Sequence, residues 1–185
     1  MGLIEITGPT ILRHEIIRVA YPQSGRALPT IGQNTNSNMV NGQAEYCPIL
    51  VRQTVTATVW ALQVTTGGTG GALEGGIYYN AGGPNPQPGA RLTSVSSGMS
   101  TALGSRVVAI NRTLTPGIWW TATLLTGSTV APGVKALAGH SPFILAANET
   151  SGHASGYVEA GLATLPATAT PLPNGQPVAK ATLMS

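Results

Sequence analysis

Short runs of alternating apolar and polar residues, separated by turn-forming residues, fill the chain from about residue 45 onward. Such alternation is typical of a β-strand that buries one face. Runs of this kind include TVTATVWALQVTT, SRVVAINRTL and IWWTATLLTG, and clusters of Gly, Pro and Asn recur between them every ~8–12 residues. This spacing predicts an all-β domain of about eight strands, arranged as a sandwich or a barrel. No helical period long enough for a core helix follows residue 45.

The run over residues 54–66 changes its parity. Its apolar residues fall on odd positions as far as Val59 and on even positions at Trp60, Leu62 and Val64. A change of parity inside one strand indicates a β-bulge or a bend between two sheets. We therefore expect either a bulge or a bend within this run, with Trp60, Leu62 and Val64 in the core. The glycine-rich stretch GGTGGALEGG that follows is predicted to be a surface loop.

Two adjacent tryptophans occur in the run GIWWTATLLTG. Neighbouring side chains of a strand point to opposite faces, so Trp119 and Trp120 cannot enter the same core layer. Trp120 shares its parity with Ile118, Ala122 and Leu124, which are all apolar, and this predicts that Trp120 and Ile118 face the core. Trp119 shares its parity with threonines and is predicted to be at least partly exposed.

An exposed tryptophan leaves a large apolar surface in water unless something covers it. Three alternatives remain for what covers Trp119: a loop or arm of its own chain, a subunit interface, or a sugar ring. The strand GIYYN repeats the pattern, because Tyr78 lies opposite Ile77 and Tyr79. Trp119 and Tyr78 are therefore the candidate surface aromatic contacts.

Residues 1–43 differ from the remainder and are predicted to form an N-terminal arm, followed by the β domain over residues 44–185. The first half of the arm is aliphatic and charged, while residues 23–43 are polar and rich in turn formers. The aliphatic side chains must be buried, either on the chain's own domain or on a neighbouring subunit. The candidate assembly contacts are Leu3, Ile4, Ile6, Ile11, Leu12, Ile16 and Ile17.

The composition narrows the possible chemistry. Charged residues make up 8% of the 185-residue chain, against about a quarter in ordinary soluble domains, and the net charge is +3. The basic residues are dispersed and not interleaved with aromatic residues, so no nucleic-acid partner is expected. The N-terminus lacks the features of a secretory signal, and no run reaches the ~18 apolar residues of a membrane span, so no membrane insertion is expected.

The sequence offers no recognisable catalytic group. It contains no Asp, and its six Glu residues are scattered, which excludes a Ser-His-Asp triad and an aspartate dyad. The three His residues form no metal-binding motif, so no enzyme activity, metal or cofactor is expected. Cys47 is the single cysteine; it cannot form an intrachain disulfide and is predicted to pack as a small apolar residue.

The order of several motifs resembles a β-sandwich domain common in virion proteins of tailed bacteriophages. The motifs are Val64-Thr65-Thr66 before a glycine-rich stretch, Gly76-Ile77-Tyr78, Pro88-Gly89-Ala90-Arg91-Leu92, Leu114-Thr115-Pro116-Gly117-Ile118-Trp119-Trp120, and the Gly161–Pro171 tail. The resemblance covers about residues 45–185 and leaves the arm unmatched. Relatives often carry Asp after the Gly-Ile-Tyr strand, where this chain has Asn80-Ala81-Gly82-Gly83; the difference argues against a calcium or acid-lined sugar site in that turn.

The resemblance implies a jelly-roll β-sandwich that is attached to a capsid, neck or tail, often as a homotrimer, and has no catalytic residues. It predicts a structural virion protein, such as a capsid decoration, head-fibre or small tail component, which the N-terminal arm anchors to other virion proteins. Assembly is then expected in the host cytoplasm, which suits the single cysteine. The alternative is a receptor- or glycan-binding module whose exposed aromatics contact a host surface polysaccharide.

Overall fold

A computed structural model describes residues 33–82, 86–138, 156–174 and 176–185 of the chain. These residues form an all-β structure, and none of them lies in a helix. Twelve strands occur among them, four more than the sequence predicted. Their bounds are β1 Gln33–Asn38, β2 Ala44–Val51, β3 Val55–Thr66, β4 Thr69–Asn80, β5 Pro88–Met99, β6 Gly104–Leu114, β7 Gly117–Val130, β8 Gly133–Ala138, β9 Gly156–Glu159, β10 Leu172–Asn174, β11 Val178–Ala179 and β12 Ala181–Met184.

The strands form two antiparallel sheets. In sheet A, the strands β1, β8, β3 and β6 lie in this order; β11 pairs with β8, and β12 pairs with β3. In sheet B, the order is β10-β9-β2-β7-β4-β5. The first eight strands pair in a nested pattern, in which β1 pairs with β8, β2 with β7, β3 with β6 and β4 with β5. Because most consecutive strands lie in different sheets, the chain crosses repeatedly between the two layers.

Side chains from both sheets meet in one apolar cluster. Sheet A contributes residues such as Trp60, Leu62 and Val64, and sheet B contributes residues such as Ile77 and Trp119. Trp60, Leu62 and Val64 are at most 1% exposed, so they lie in the core. Burial of this cluster removes the inner faces of both sheets from water, which is the main favourable term in folding.

The predicted break in β3 is confirmed. The register between β3 and β6 shifts between Ala57 and Val59, and burial moves from Ala57 to Trp60, Leu62 and Val64. A bulge adds one residue to a strand and so turns the following side chains to the other face. The bulge is what directs Trp60 toward sheet B.

The glycine-rich stretch is not the surface loop that the sequence predicted, because β4 begins at Thr69 and includes most of it. Gly75 explains part of its composition. A Cβ atom at Gly75 would lie 2.9 Å from Cζ2 of the Trp60 indole, closer than real Cβ contacts. Glycine here lets the buried indole pack directly on the β4 backbone.

The C-terminal residues fill a fork in sheet A. Strand β3 pairs with β8 only near Val64 and Thr66; further along, β11 pairs with β8 and β12 pairs with β3. Strands β3 and β8 are antiparallel, and each C-terminal strand is antiparallel to its partner. Strands β11 and β12 therefore run in opposite directions, and the chain reverses at Lys180 between them. The side chains of Val178, Ala179, Ala181 and Leu183 are all buried.

The sheet begins before the predicted end of the arm. Residues 33–38 pair as β1 with β8, and Met39 is buried in the core. The β structure therefore includes residues 33–38, which the sequence assigned to the arm, because their polar composition did not indicate an edge strand. The proposed arm contacts Leu3, Ile4, Ile6, Ile11, Leu12, Ile16 and Ile17 lie outside the described residues.

The packing of β12 in the fork can be tested by substitution. Replacement Leu183→Ala removes a fully buried side chain from the cluster between the two sheets, and we expect the free energy of unfolding to fall by about 2–5 kcal/mol. Thr182→Ala, on the opposite face of the same strand, is expected to change it by no more than about 0.5 kcal/mol. Urea denaturation followed by tryptophan fluorescence measures both. Equal losses in the two variants would show that β12 does not pack in this register.

Candidate interaction surfaces

The two tryptophans lie on opposite faces of β7, as the strand period requires, but both faces are buried. Trp119 is 6% exposed, and its side chain packs in the cluster between the sheets. Its ring lies 4.9 Å from that of Tyr79, and Nε1 donates a 2.8 Å hydrogen bond to the carbonyl of Thr115. The prediction that Trp119 is a surface contact is therefore wrong, because the threonine-bearing face of β7 is the face that meets sheet A.

Trp120 lies on the other side of sheet B, in a second apolar cluster. It is fully buried, its ring stands edge-on to Tyr157 at 5.4 Å, and its Nε1 donates to Asn80 Oδ1 at 3.3 Å. Ile118 is half-buried and packs against the same cluster. The apolar side chains that share the parity of Trp120 therefore do form a core. That core lies on the outer side of sheet B and not between the two sheets, where the sequence analysis expected it.

Tyr78 also lies in this second cluster and is fully buried. Its hydroxyl donates a 2.7 Å hydrogen bond to the carbonyl of Pro166, and its ring stands edge-on to Tyr46 at 5.2 Å. The prediction that Tyr78 is a surface contact is also wrong, here because Leu165 and Ala169 pack over the face of sheet B on which Tyr78 lies. The neighbouring Tyr79 is 43% exposed instead.

The cover over this face of sheet B is residues 160–171, which we call the strap. Leu165 and Ala169 of the strap are buried in the second cluster. Backbone hydrogen bonds fasten it at two places, from Leu162 N to Gly42 O and between residues 167–169 and 89–91 of β5. The strap therefore acts as a third layer, although it contains little regular secondary structure.

Two carboxylates hold the strap. Glu74 on β4 accepts hydrogen bonds from the backbone N–H of Leu165 at 2.9 Å and from the Thr164 hydroxyl at 3.4 Å. Glu159, at the end of β9, accepts from the N–H and the hydroxyl of Thr170 and from the hydroxyl of Tyr46. Arg91 lies 3.9 Å from Glu74 and donates to the carbonyl of Leu165. These acids satisfy backbone groups of an irregular segment that would otherwise be left unpaired.

The third described carboxylate holds the C-terminal strands. Glu45 on β2 is 3% exposed and accepts a hydrogen bond from the backbone N–H of Ala179 in β11. Burial raises the pKa of Glu45 to about 7, and the bond from Ala179 offsets part of that rise. Close by, Cys47 is buried as predicted, and burial raises the pKa of its thiol to about 12.

The sequence analysis did not predict that these glutamates accept hydrogen bonds from the strap and from β11, because they are scattered along the chain. Glu45 and Glu74 each stand alone inside an apolar strand, in AEYCPILV and GGALEGGIYY. A single acid in such a run signals a buried acceptor, because burial of an unpaired carboxylate is costly. Among the described residues no group of His, Cys, Asp or Glu could hold a metal ion.

No segment among the described residues packs over the outer face of sheet A, which carries a shallow groove of about 420 Å³. Residues from β3, β6, β8 and the C-terminal strands line it: Ala61, Leu62, Gln63, Ser105, Val107, Lys135, Lys180, Thr182 and Met184. The described acids all lie in sheet B. They are on β2, β4 and β9, and the same sheet carries Arg91 on β5, while the charged side chains on the strands of sheet A are the cations Arg106, Arg112 and Lys135.

The sheets also have free edges. Within the described chain, no strand pairs with the outer edge of β6, and β5 is covered only around Ala90. A second, smaller groove of about 370 Å³ lies between these two strands, with Val95, Ile110 and Arg112 in its lining. Unpaired edges are sites where another chain can add a strand.

Comparisons with known proteins give no relatives. No family model matches the chain, and no curated protein or solved structure is significantly similar to it. No helix that could span a membrane occurs in the part of the chain that the structure describes.

The strap makes a prediction about Glu74. In Glu74→Ala, the N–H of Leu165 loses its acceptor, so we expect a loss of about 1.5–3 kcal/mol in stability and faster hydrogen exchange at Leu165. Amide exchange followed by NMR measures this directly. Ser94→Ala is the control, because the Ser94 hydroxyl contacts Glu74 only at 3.5 Å. Unchanged exchange at Leu165 in Glu74→Ala would show that the carboxylate does not hold the strap.

The buried Glu45 makes a prediction about pH. Its carboxyl ionises near 4.5 in the unfolded chain and near 7 in the fold, so between these values the folded state keeps a proton that the unfolded state loses. The free energy of unfolding is therefore expected to fall by about 3 kcal/mol as the pH rises from 4.5 to 7. Above pH 7, the ionisation of Glu45 causes little further change.

The variant Glu45→Gln tests this pH dependence. The amide oxygen still accepts from Ala179, and the ionisation is removed, so the fall in stability attributed to Glu45 should disappear. Glu159→Gln keeps Glu45 and is expected to retain it. Urea denaturation at several pH values between 4.5 and 8 compares the three proteins. A wild type and Glu45→Gln with parallel profiles would rule out a raised pKa at this site.

Proposed function

We propose that this chain is a structural virion protein of a tailed phage, formed by a jelly-roll domain that its N-terminal segment anchors to the particle. The observation that carries the proposal is the nested pairing of β1 with β8, β2 with β7, β3 with β6 and β4 with β5. Wrapping one long antiparallel ribbon in this way gives sheets of order 1-8-3-6 and 2-7-4-5, as in a jelly roll, an architecture frequent in viral capsid domains.

The strands beyond the first eight fit this proposal as additions to the jelly roll. Strands β9 and β10 extend sheet B beside β2, and β11 and β12 fill the fork in sheet A. The motifs that resemble phage virion domains lie within the nested strands and the strap. Fold alone does not specify function, so the proposal rests on the motif order together with the pairing.

The use of the acidic residues supports a structural role. Glu45, Glu74 and Glu159 each accept hydrogen bonds from backbone N–H groups, and each of them fastens a segment of the C-terminal quarter of the chain. Carboxylates engaged in this way serve the rigidity of the domain. A rigid domain with few surface charges suits a component that is held in a large assembly.

The N-terminal segment is the proposed anchor. Residues 1–32 precede β1, and β1 is the outermost strand of sheet A, so this segment joins the domain at one edge. Its aliphatic residues need a partner surface to be removed from water. We propose that this surface belongs to another virion protein of the capsid, neck or tail. The unpaired edges of β5 and β6 favour contacts between copies, in line with a homotrimer assembled in the host cytoplasm.

Deletion of the anchor tests the proposal. A chain lacking residues 1–32 keeps every strand of the described domain, so it is expected to fold and to give a β-sheet circular dichroism spectrum. Particles produced with it as the sole copy are expected to lose the protein almost completely. Electrophoresis and mass spectrometry of purified particles measure the loss.

A shorter deletion provides the matched control. Removal of residues 22–27, a polar part of the segment, keeps Leu3 to Ile17 and is expected to leave incorporation near the wild-type level. If the chain without residues 1–32 enters particles as well as wild type does, the segment is not the anchor. Absence of the full-length chain from particles would contradict the virion role itself.

A further inference from the structure

Strands β5 and β6 end the two sheets side by side, and their residues do not pair with each other. We call the 370 Å³ groove between them the seam. Val108 and Ile110 of β6 and Val95 of β5 pack against the cluster between the sheets, and all three are only partly buried. A 3.3 Å hydrogen bond from Arg112 to the Thr93 hydroxyl joins the two strands. Part of the apolar core therefore reaches the surface of the described domain at the seam.

The edge of β6 is better suited to accept a further strand than the edge of β5. From Gly104 to Ala109, β6 pairs with β3 in a continuous register. The register between β5 and β4 shifts at four places, and such irregularities turn an edge away from pairing. Within the described chain no strand pairs with the outer edge of β6. A segment that adds to this edge gains backbone hydrogen bonds and places alternate side chains over the seam.

The charges on β6 are positive. Arg106 donates hydrogen bonds to the carbonyls of Ala102 and Leu103, and Arg112 donates to the carbonyl of Asn111 and to Thr93. The described acids lie on β2, β4 and β9 of sheet B, where each accepts hydrogen bonds from backbone N–H groups. Charge complementarity therefore favours an occupant of the β6 edge that carries a carboxylate.

A short segment outside the described residues has this chemistry. Residues 3–7, LIEIT, alternate Ile4 and Ile6 with Glu5, and they contain a carboxylate but no cation. Ile and Thr are typical of strands, and the following Gly8-Pro9 ends the run. The second aliphatic stretch, residues 11–20, contains two arginines and a single glutamate, so the positive edge favours it less.

The length of the intervening chain permits the contact within one molecule. Residue 33 begins β1, which β8 and β3 separate from β6 in sheet A. Three spacings between neighbouring strands amount to about 14 Å. Residues 8–32 can span about 80 Å when they are extended. Residues 3–7 can therefore reach the β6 edge of their own chain.

We propose that in the free chain residues 3–7 add to sheet A as a strand beside β6, with Ile4 and Ile6 over the seam. The docked strand removes these side chains and the edge of β6 from water, and it blocks association through that edge. The docking itself does not require the virion role. Its consequence rests on the proposed function: when another virion protein takes up the N-terminal segment, the β6 edge becomes available for contacts between copies.

Photocrosslinking of the free full-length chain tests the docking. p-Benzoylphenylalanine in place of Asn111, an exposed residue that lines the seam, is expected to link to the tryptic peptide of residues 1–13, which mass spectrometry identifies. The product should migrate as a monomer in denaturing electrophoresis, because the segment comes from the same chain. The same probe in place of Leu172, which is 72% exposed on the outermost strand at the other edge of sheet B, is the control and should not give this link.

Variants of the N-terminal segment identify the docked residues. Glu5→Lys reverses the charge of residues 3–7, and we expect the yield of the link from position 111 to fall roughly threefold. Glu15→Lys makes the same change in the second aliphatic stretch and should leave the yield unchanged. The double variant Ile4→Ser/Ile6→Ser loses the apolar contact with the seam, so its yield should fall by at least about tenfold. In sedimentation it should associate more than wild type, because its β6 edge is uncovered.

Several results would overturn the proposal: no link from position 111 to residues 1–13, a link only between two chains, or equal losses in Glu5→Lys and Glu15→Lys. A serine variant that associates no more than wild type would contradict the blocking of the edge. If circular dichroism shows that the probe at position 111 disturbs the fold, a probe in place of Ala109, which is exposed on the same strand, replaces it. Absence of the chain from particles contradicts the virion role and leaves the docking result intact.

Discussion

Sheet B is apolar on both faces, and this constraint determines most of the structure. In β7, every residue from Trp119 to Leu125 is buried, so the strand needs cover on two sides. Sheet A covers one side, through the cluster that contains Trp60 and Trp119. The strap covers the other, where Leu165 and Ala169 pack near Trp120 and Tyr78. The domain is thus built in three layers, and the third is an irregular segment.

An irregular third layer has a cost, because its backbone groups have few strand partners. The described carboxylates offset this cost where the ladders of hydrogen bonds end. Glu74 and Glu159 accept from strap residues, and Glu45 accepts from β11 at the fork in sheet A. A carboxylate accepts several hydrogen bonds at once, which makes it suited to this role.

The two sheets differ in what their outer faces can do. The strap covers the outer face of sheet B, so the aromatic side chains on that face of the sheet are buried in a core. The outer face of sheet A has no comparable cover among the described residues, and the described charged side chains of that sheet are all positive. The two proposals assign the N-terminal segment to two stages, because it covers the β6 edge in the free chain and contacts another virion protein in the particle. The edges of β5 and β6, along most of which no described strand pairs, offer another surface for contacts between copies.

The sequence by itself determined the all-β class, the parity break before Trp60, the burial of Cys47 and the opposite orientation of Trp119 and Trp120. These follow from local rules, because a strand alternates its side chains and a bulge reverses them. Only the tertiary structure decided that both tryptophans are buried, since a period of two residues separates two faces and does not reveal what packs on each. The same holds for Gly75, whose role depends on an indole fifteen residues away in the chain, and for Glu45 and Glu74, whose partners lie about ninety or more residues further along. The backbone hydrogen bond from Lys180 to Lys135 likewise exists only because the C-terminal strands enter the fork between β3 and β8.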